Sequence, residues 1–394
     1  MKSREVFILE GCRTAIGSFG GMYMKLRAAD LGVIAAKEAL KRANIEGEQL
    51  DDVLVGNCMM VSDEINIARV ISLRAGIPFT VPAATIQRQC SSSMQALVFG
   101  AQQIQTGEND LVLIGGVESM THTPYLLKGA RWGYRMRDAT VTDGLWEGLT
   151  DPVNGLIMGL TAENLAEKYN ISRQEQDELA LTSHTRAASA IKKGIFDDEI
   201  VPVEVPAKGG GTKTITTDEH VRMNVTLEDL AKLKPAFKKD GTVTAGNSSG
   251  LNDAAAFVVL ASEEKVRELG LKPMARFVSH AVAGVEPELM GYGPVPATKK
   301  VLQRTGWTLK DIDLIELNEA FASQYLACEK LLDLDRSITN VNGSGIALGH
   351  PVGCTGVRLV ISLLFEMRRR NATRGLATLC VGGGMGKAVL VEKV

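Results

Sequence analysis

Cys90 ends Thr85-Ile86-Gln87-Arg88-Gln89-Cys90, a run with a β-branched start that reads as extended chain, and is followed by Ser91-Ser92-Ser93 and a helix-like stretch from Met94 to Thr106. A thiol where a strand hands over to a helix meets unpaired backbone N–H groups and the positive end of the helix dipole. Both favour the thiolate, which is the nucleophile. His350 stands between Gly349 and Pro351 inside the glycine-rich stretch 342–356, where the glycines indicate close approach of the backbone to a ligand or another loop. Cys380, in Leu379-Cys380-Val381-Gly382-Gly383-Gly384-Met385-Gly386, is a second strand-end thiol, and the N–H groups after it can form an anion-holding nest. No helix follows and no ribose-binding acid is present, so this is not a dinucleotide fingerprint. Asn318, in Glu316-Leu317-Asn318-Glu319-Ala320-Phe321, ends a strand and starts a helix, where an N-cap is the plain alternative. The stretch 244–253 is a tight polar turn. The competing reading of each cysteine is a small buried hydrophobe, and of the histidine a structural one.

These residues need a scaffold, and strand and helix alternate along the chain. Glu5–Leu9, Asp52–Gly56 around the apolar Val53–Val55, and Leu111–Gly116 read as strands, 30–43 as a helix N-capped by Asp30, and 65–75 as a helix stopped by Gly76. The plan recurs after residue 271, with strands at 275–281, 314–317, 376–381 and 388–391 and helices at 298–305, 320–332 and 356–368. Strands apolar throughout predict a largely parallel sheet covered on both faces. Leu113–Gly116 corresponds to Leu379–Gly383, and Ala256–Leu260 to the closing strand. The expected organisation is 1–117 plus 246–270 as one half, 118–245 as an insertion in its hairpin, and 271–394 as the second half. In the insertion, Thr161 and Ser172 are candidate N-caps, Ser172 with Glu175 at capping-box distance. Lys208–Thr212 reads as a glycine turn, and Lys128–Arg137 is a basic, aromatic loop.

The chain has 394 residues and a net charge of -2, which gives no electrostatic reason to expect nucleic acid or a membrane surface as partner. Six scattered cysteines lack the spacing of a zinc site or a disulfide framework, so no metal is expected. With no signal segment before the first strand and no spanning apolar run, a cytoplasmic location is expected.

The blocks around Cys90, His350, Cys380 and Asn318, in this order of content from Ala15–Gly20 to Gly384–Lys387, resemble the thiolases, the acyl-CoA C-acetyltransferases of the thiolase fold, essentially end to end. The resemblance implies two pseudo-repeated βαβαβαββ halves in a layered αβαβα sandwich with an inserted loop domain. It implies Cys90 as the acylated nucleophile, His350 as its base and an oxyanion donor, Cys380 as general acid/base, and Asn318 as holder of an oxyanion water. A Cys–His pair is a standard route to a thiolate at neutral pH. Backbone N–H groups of Cys90 and Gly382 would hold the tetrahedral adduct, and such donors are worth roughly 3 kcal/mol each. It further implies Arg222 near the adenine end of coenzyme A, Phe237 and Ser249 along the pantetheine arm, and Met158, Met290 and Phe321 at the substrate pocket. For Phe237, Met290 and Phe321 core packing is the alternative.

The implied activity is acetyl-CoA C-acetyltransferase (acetoacetyl-CoA thiolase), with a broader-chain 3-ketoacyl-CoA thiolase of fatty-acid β-oxidation as the alternative. Coenzyme A and acetyl-CoA enter as substrates, with no permanently bound cofactor. The loop 128–137 occupies the place of the family's tetramer-forming loop, which implies a homotetramer. One departure bears on chain length: Ile157 replaces the histidine that biosynthetic thiolases commonly carry before the Thr161-Ala162-Glu163-Asn164 helix. A decarboxylating condensing enzyme of this fold would not carry the acidic second thiol.

Overall fold

The computed structural model describes residues 4–207 and 209–394; residues 1–3 and Lys208, the first residue of the expected glycine turn, lie outside the described residues. In chain order the principal elements are β1 (Val6–Thr14), α1 (Ala28–Ala43), β2 (Asp52–Gly56), α2 (Ile67–Ala75), β3 (Ala83–Ile86), α3 (Ser92–Thr106) and β4 (Leu111–Ser119). An excursion carrying α4 (Met158–Lys168) and α5 (Arg173–Lys192) then leads to β5 (Asn252–Ser262). The remainder holds β6 (Ala275–Gly284), α6 (Pro294–Thr305), β7 (Leu314–Leu317), α7 (Ala322–Leu332), α8 (Thr355–Arg370), β8 (Arg374–Val381) and β9 (Met385–Lys393).

The strands form one hydrogen-bonded path, β7-β8-β9-β6-β1-β5-β4-β2-β3. Its two halves meet at a short β1–β6 pairing, Phe7 opposite Arg276 and Ile8 opposite Ala275. α3 and α8 pack against each other between the half-sheets, with α1 and α2 outside the first and α6 outside the second, which gives helix–sheet–helix–sheet–helix layers. The sheet is mixed, not largely parallel. β2 runs parallel to β3 and β4, and β7 to β8, but β1–β5, β5–β4, β8–β9 and β9–β6 are antiparallel. Helices on both faces bury the parallel β7 and the antiparallel β4 and β5 alike along their whole length, so an apolar run does not report strand direction.

Each half closes in a hairpin. In the second, Cys380 faces Gly386 and Val381 faces Met385 across a glycine turn. In the first, Ser119 faces Asp253 and Leu111 faces Ala261, and the excursion fills the place of the turn. Two expected caps are elsewhere. α1 begins earlier than an Asp30 cap allows: Arg27 is the N-cap, and Asp30, in the first turn, accepts the Arg27 N–H at 2.9 Å. α4 begins at Met158, and Thr161 donates back to the Met158 carbonyl at 2.6 Å. The Ser172–Glu175 capping box is present.

The two central helices meet end to end through small residues. A Cβ on Gly56 would lie 2.1 Å from the Ser93 nitrogen, one on Gly116 2.4 Å from Ser93 Cβ, and one on Gly356 2.6 Å from Met94 Cβ. The Ser93 hydroxyl donates to the Cys354 carbonyl at 3.1 Å and accepts the Val357 N–H at 3.0 Å, so it spans the N-termini of α3 and α8. Gly56→Ala is expected to push α3 off this contact and cost about 3 kcal/mol. Thermal unfolding would show it, and an unchanged midpoint would contradict the packing.

Candidate active site

β3 ends at Ile86, short of the cysteine, and Cys90 stands on a tight turn. Gln89 adopts the left-handed conformation at φ 45°. Three serines hold the turn, because short hydroxyl side chains capture nearby backbone groups. Ser91 Oγ donates to the Arg88 carbonyl at 3.0 Å, Ser92 Oγ donates to the Gln89 carbonyl at 2.6 Å, and Ser93 makes the bridge to α8. α3 opens directly after, with Ser91 as N-cap.

The Cys90 thiol is pushed up to about 11, first by burial; the N–H groups of Gly382 and of Cys90 itself hydrogen-bond the sulfur and pull the other way, and Glu118 adds to the rise. Desolvation therefore outweighs the helix end. A thiol raised to about 11 keeps its proton at neutral pH unless a neighbour takes it. A base is needed.

His350 is placed by its neighbours. Gly349 has φ 111°, and a Cβ there would lie 2.6 Å from Asn252 Cγ. The His350 N–H donates to Asn252 Oδ1 at 2.9 Å, while Asn252 Nδ2 donates to the Gly17 carbonyl at 3.0 Å. Nδ1 lies 2.7 Å from Thr355 Oγ1, which donates its own proton to the Pro351 carbonyl at 3.0 Å. This geometry assigns the proton to Nδ1 and leaves Nε2 as a free base, buried without a partner among the described residues. Burial first, and then Arg358, push the imidazole down to about 3.

Asn318 is wholly buried and does not cap a helix, since α7 starts at Ala322 with Phe321 as N-cap. Its Nδ2 lies 3.4 Å from His350 Nδ1, and its Oδ1 has no partner among the described residues. Cys380, at the end of β8, is held well above the ordinary thiol range by burial and then by nearby Cys90. It packs in an apolar cluster with Met290 and Phe321, against which Met158 and Phe237 lie.

A cavity of about 430 Å³ joins these groups. Its wall includes Cys90, His350, Cys380, Met158, Arg222, Phe237, Ser249, Met290, Phe321 and Ile157. Phe237 meets Phe321 edge-on with centroids 6.2 Å apart, and Arg222 is exposed. Gly382 borders an adjoining recess that shares Cys90 and Met158, whereas Asn318 stands beside His350 and lines neither. Two thiols, a neutral imidazole and inward N–H groups at one end of an apolar cavity can exchange an acyl group and a proton on a long flexible substrate.

Sequence reasoning missed Glu118, Asn252 and Thr355. The Glu118 carboxylate, on the last residue but one of β4, is fully buried, accepts N–H groups of Gly353 at 2.7 Å and of Cys58 and Met59 at 3.1 Å, and is pushed by burial up to about 7. An acid closing an otherwise apolar strand was the available signal. In the free protein, alkylation of Cys90 by iodoacetamide is expected to climb in proportion to hydroxide across neutral and mildly alkaline pH, because the thiolate is still a minor species there. A plateau near neutrality would contradict the protonated resting thiol.

Residues 6–264 match the family described as Thiolase, N-terminal domain, and residues 271–393 that described as Thiolase, C-terminal domain. An acetyl-CoA acetyltransferase of Syntrophomonas wolfei is 49% identical, covering 99% of each chain. The crystal structure of the Bacillus anthracis acetyl-CoA acetyltransferase is 51% identical, covers both chains fully and superposes with a TM-score of 0.98. The crystal structure of human mitochondrial 3-ketoacyl-CoA thiolase in complex with CoA is 46% identical, with a TM-score of 0.96 over 99% of this chain and 98% of that one.

Proposed function

The chain belongs to the thiolase family of acyltransferases, and from that premise we propose that it is an acetyl-CoA C-acetyltransferase working through an acyl group on Cys90. One observation carries the reading: Cys90, Cys380 and the free Nε2 of His350 share one cavity. In thiolysis His350 takes the Cys90 proton, and the thiolate attacks the 3-keto carbon of acetoacetyl-CoA. The N–H groups of Cys90 and Gly382 hold the resulting oxyanion. The Cα–Cβ bond then breaks, and the enolate of acetyl-CoA leaves with its oxygen on the His350 imidazolium and a water held by Asn318. Cys380 protonates its carbon. A second coenzyme A, deprotonated by Cys380, takes the acetyl group from Cys90. Condensation is the reverse, so the direction follows the supply of substrates.

Arg222 faces the nucleotide end of coenzyme A, Phe237 and Ser249 flank the pantetheine, and Met158, Met290 and Phe321 surround the acyl end. No metal and no resident cofactor enter these steps. The division into 1–117 with 246–270, 118–245 and 271–394 assigns most of this cavity's outer wall to the insertion. The exposed hairpin Tyr125–Leu127 with Val141–Asp143, bearing the loop 128–137, is the tetramer contact, and the enzyme works in the cytoplasm; both extend the family reading. Among the described residues no helix is long and apolar enough to cross a membrane.

The second reading, a broader-chain 3-ketoacyl-CoA thiolase, is favoured by Ile157, which puts an apolar side chain in the cavity wall. Intact-mass analysis with acetyl-CoA should show an acetyl adduct on the wild type and none on Cys90→Ser; an unmodified wild type would overturn the mechanism. Thiolysis should favour acetoacetyl-CoA over 3-oxohexanoyl- and 3-oxodecanoyl-CoA, and the opposite order would establish the second reading.

A further inference from the structure

The two N–H groups assigned to the oxyanion come from opposite halves of the molecule. That of Cys90 stands at the head of α3, and that of Gly382 in the glycine turn between β8 and β9. Gly382 lies against the Cys90 turn, where a Cβ on it would sit 3.7 Å from Gln89 Cγ. Segments so distant along the chain need a directed contact to hold that spacing. Lys387 supplies one. It stands on β9 opposite Leu379, the residue before Cys380, and is fully buried. Its Nζ donates to Gln95 Oε1 at 2.5 Å. Gln95 is in the first turn of α3, where its own N–H donates to the Ser91 carbonyl at 2.7 Å. Arg88, in the Cys90 turn, donates through Nη1 to the same Gln95 oxygen at 2.7 Å, and its backbone N–H donates to Ser92 Oγ at 3.0 Å. One amide oxygen thus takes a hydrogen from each side of the site. Among the described residues neither cation meets a carboxylate. Burial first, and then Arg88, push the Lys387 ammonium down to about 7, and as ammonium or amine Nζ keeps a hydrogen for Gln95. An apolar side chain would fill the same space without burying an amine, but it would make no directed bond between the halves.

We propose that Lys387 is a positioning residue: through Gln95 it clasps the β8–β9 turn to the Cys90 turn and so sets the spacing of the two N–H groups that receive the oxyanion. The inference rests on the proposed acyl transfer through Cys90. Lys387 touches no reacting atom; it acts through the backbone of the hairpin that carries Cys380 and Gly382. Donors set for the tetrahedral adduct matter most when its charge develops. Loss of the clasp therefore falls on turnover and spares coenzyme A binding, for which Arg222, Phe237 and Ser249 are proposed at the outer part of the cavity.

Steady-state thiolysis of acetoacetyl-CoA by the intact enzyme is the test. Lys387→Met is expected to lower kcat about tenfold and to leave KM for coenzyme A within about twofold of the wild type. Gln95→Met cuts the same bond from the other side and is expected to lower kcat at least as far. Gln95→Glu keeps an acceptor between the two cations and is expected to restore kcat to within about twofold of the wild type. The double variant Lys387→Met with Gln95→Met should turn over no more slowly than Gln95→Met alone, since one bond can be lost only once. Losses that multiply in the double variant overturn the proposal. So does a Lys387→Met enzyme with wild-type kcat, or one whose loss appears in KM instead. If Lys387→Met does not fold, Gln95→Met against Gln95→Glu decides alone, and equal losses in the two overturn the proposal. Intact-mass analysis with acetyl-CoA separates the premise from the inference. A wild type that takes no acetyl group sinks the acyl-enzyme reading, whereas an acetylated wild type beside a Lys387→Met enzyme of undiminished kcat sinks only the clasp.

Discussion

The active site depends on one buried hydroxyl. Ser93 joins the N-termini of the two central helices by donating to Cys354 and accepting from Val357, and Gly56, Gly116 and Gly356 leave the room for it. The Cys90 turn and the His350 loop belong to separate half-sheets, and this junction, with Asn252 and Glu118, ties them together beyond the short strand pairing. A side chain larger than hydrogen at any of the three glycines would separate the helix ends, and the sulfur and the imidazole would part with them. Packing at this density converts small displacements into strain, and the strain would fall on the catalytic groups.

The chemistry that follows is a contest between helix ends and burial. Two helix N-termini converge on the site, and taken alone they would make a ready thiolate. Burial wins at both thiols and at the imidazole, so every acid and base rests in its neutral form. Charge therefore develops when the substrate brings a carbonyl oxygen to the waiting N–H groups. An idle site that carries no thiolate is protected from adventitious electrophiles and oxidants.

Much of this was legible in the residues. β2 and β7 have the bounds read from their apolar runs, and the hairpin pairing of 111–116 with 256–260 is present in register. The glycine-bounded blocks around Cys90, His350 and Cys380 carried the site, because glycine there reports close approach of chain segments that periodicity cannot connect. Strand direction was not legible, since strands buried on both faces look alike in either sense. Helix starts were misplaced at Asp30 and Thr161, where a polar residue inside the first turn has the same composition as a cap. The rise of the Cys90 pKa was not legible for a different reason. A sequence shows which helix follows a thiol, but the depth of its burial depends on walls supplied by residues far along the chain.

The first hairpin has a consequence for how the chain reaches this state. Leu111 must wait for Ala261 before β4 gains its antiparallel neighbour, whereas Cys380 finds Gly386 at once. Contacts so distant along the chain slow folding, because loop closure must be paid for before pairing rewards it. During synthesis from the N-terminus, β4 emerges long before β5 and stays an open edge while the insertion is made. The second half, with its local hairpin, is free to close as it leaves the ribosome. The acyl site, which draws on both, is then among the last features to form, so a chain stalled or truncated before β5 carries the nucleophile and none of its reactivity.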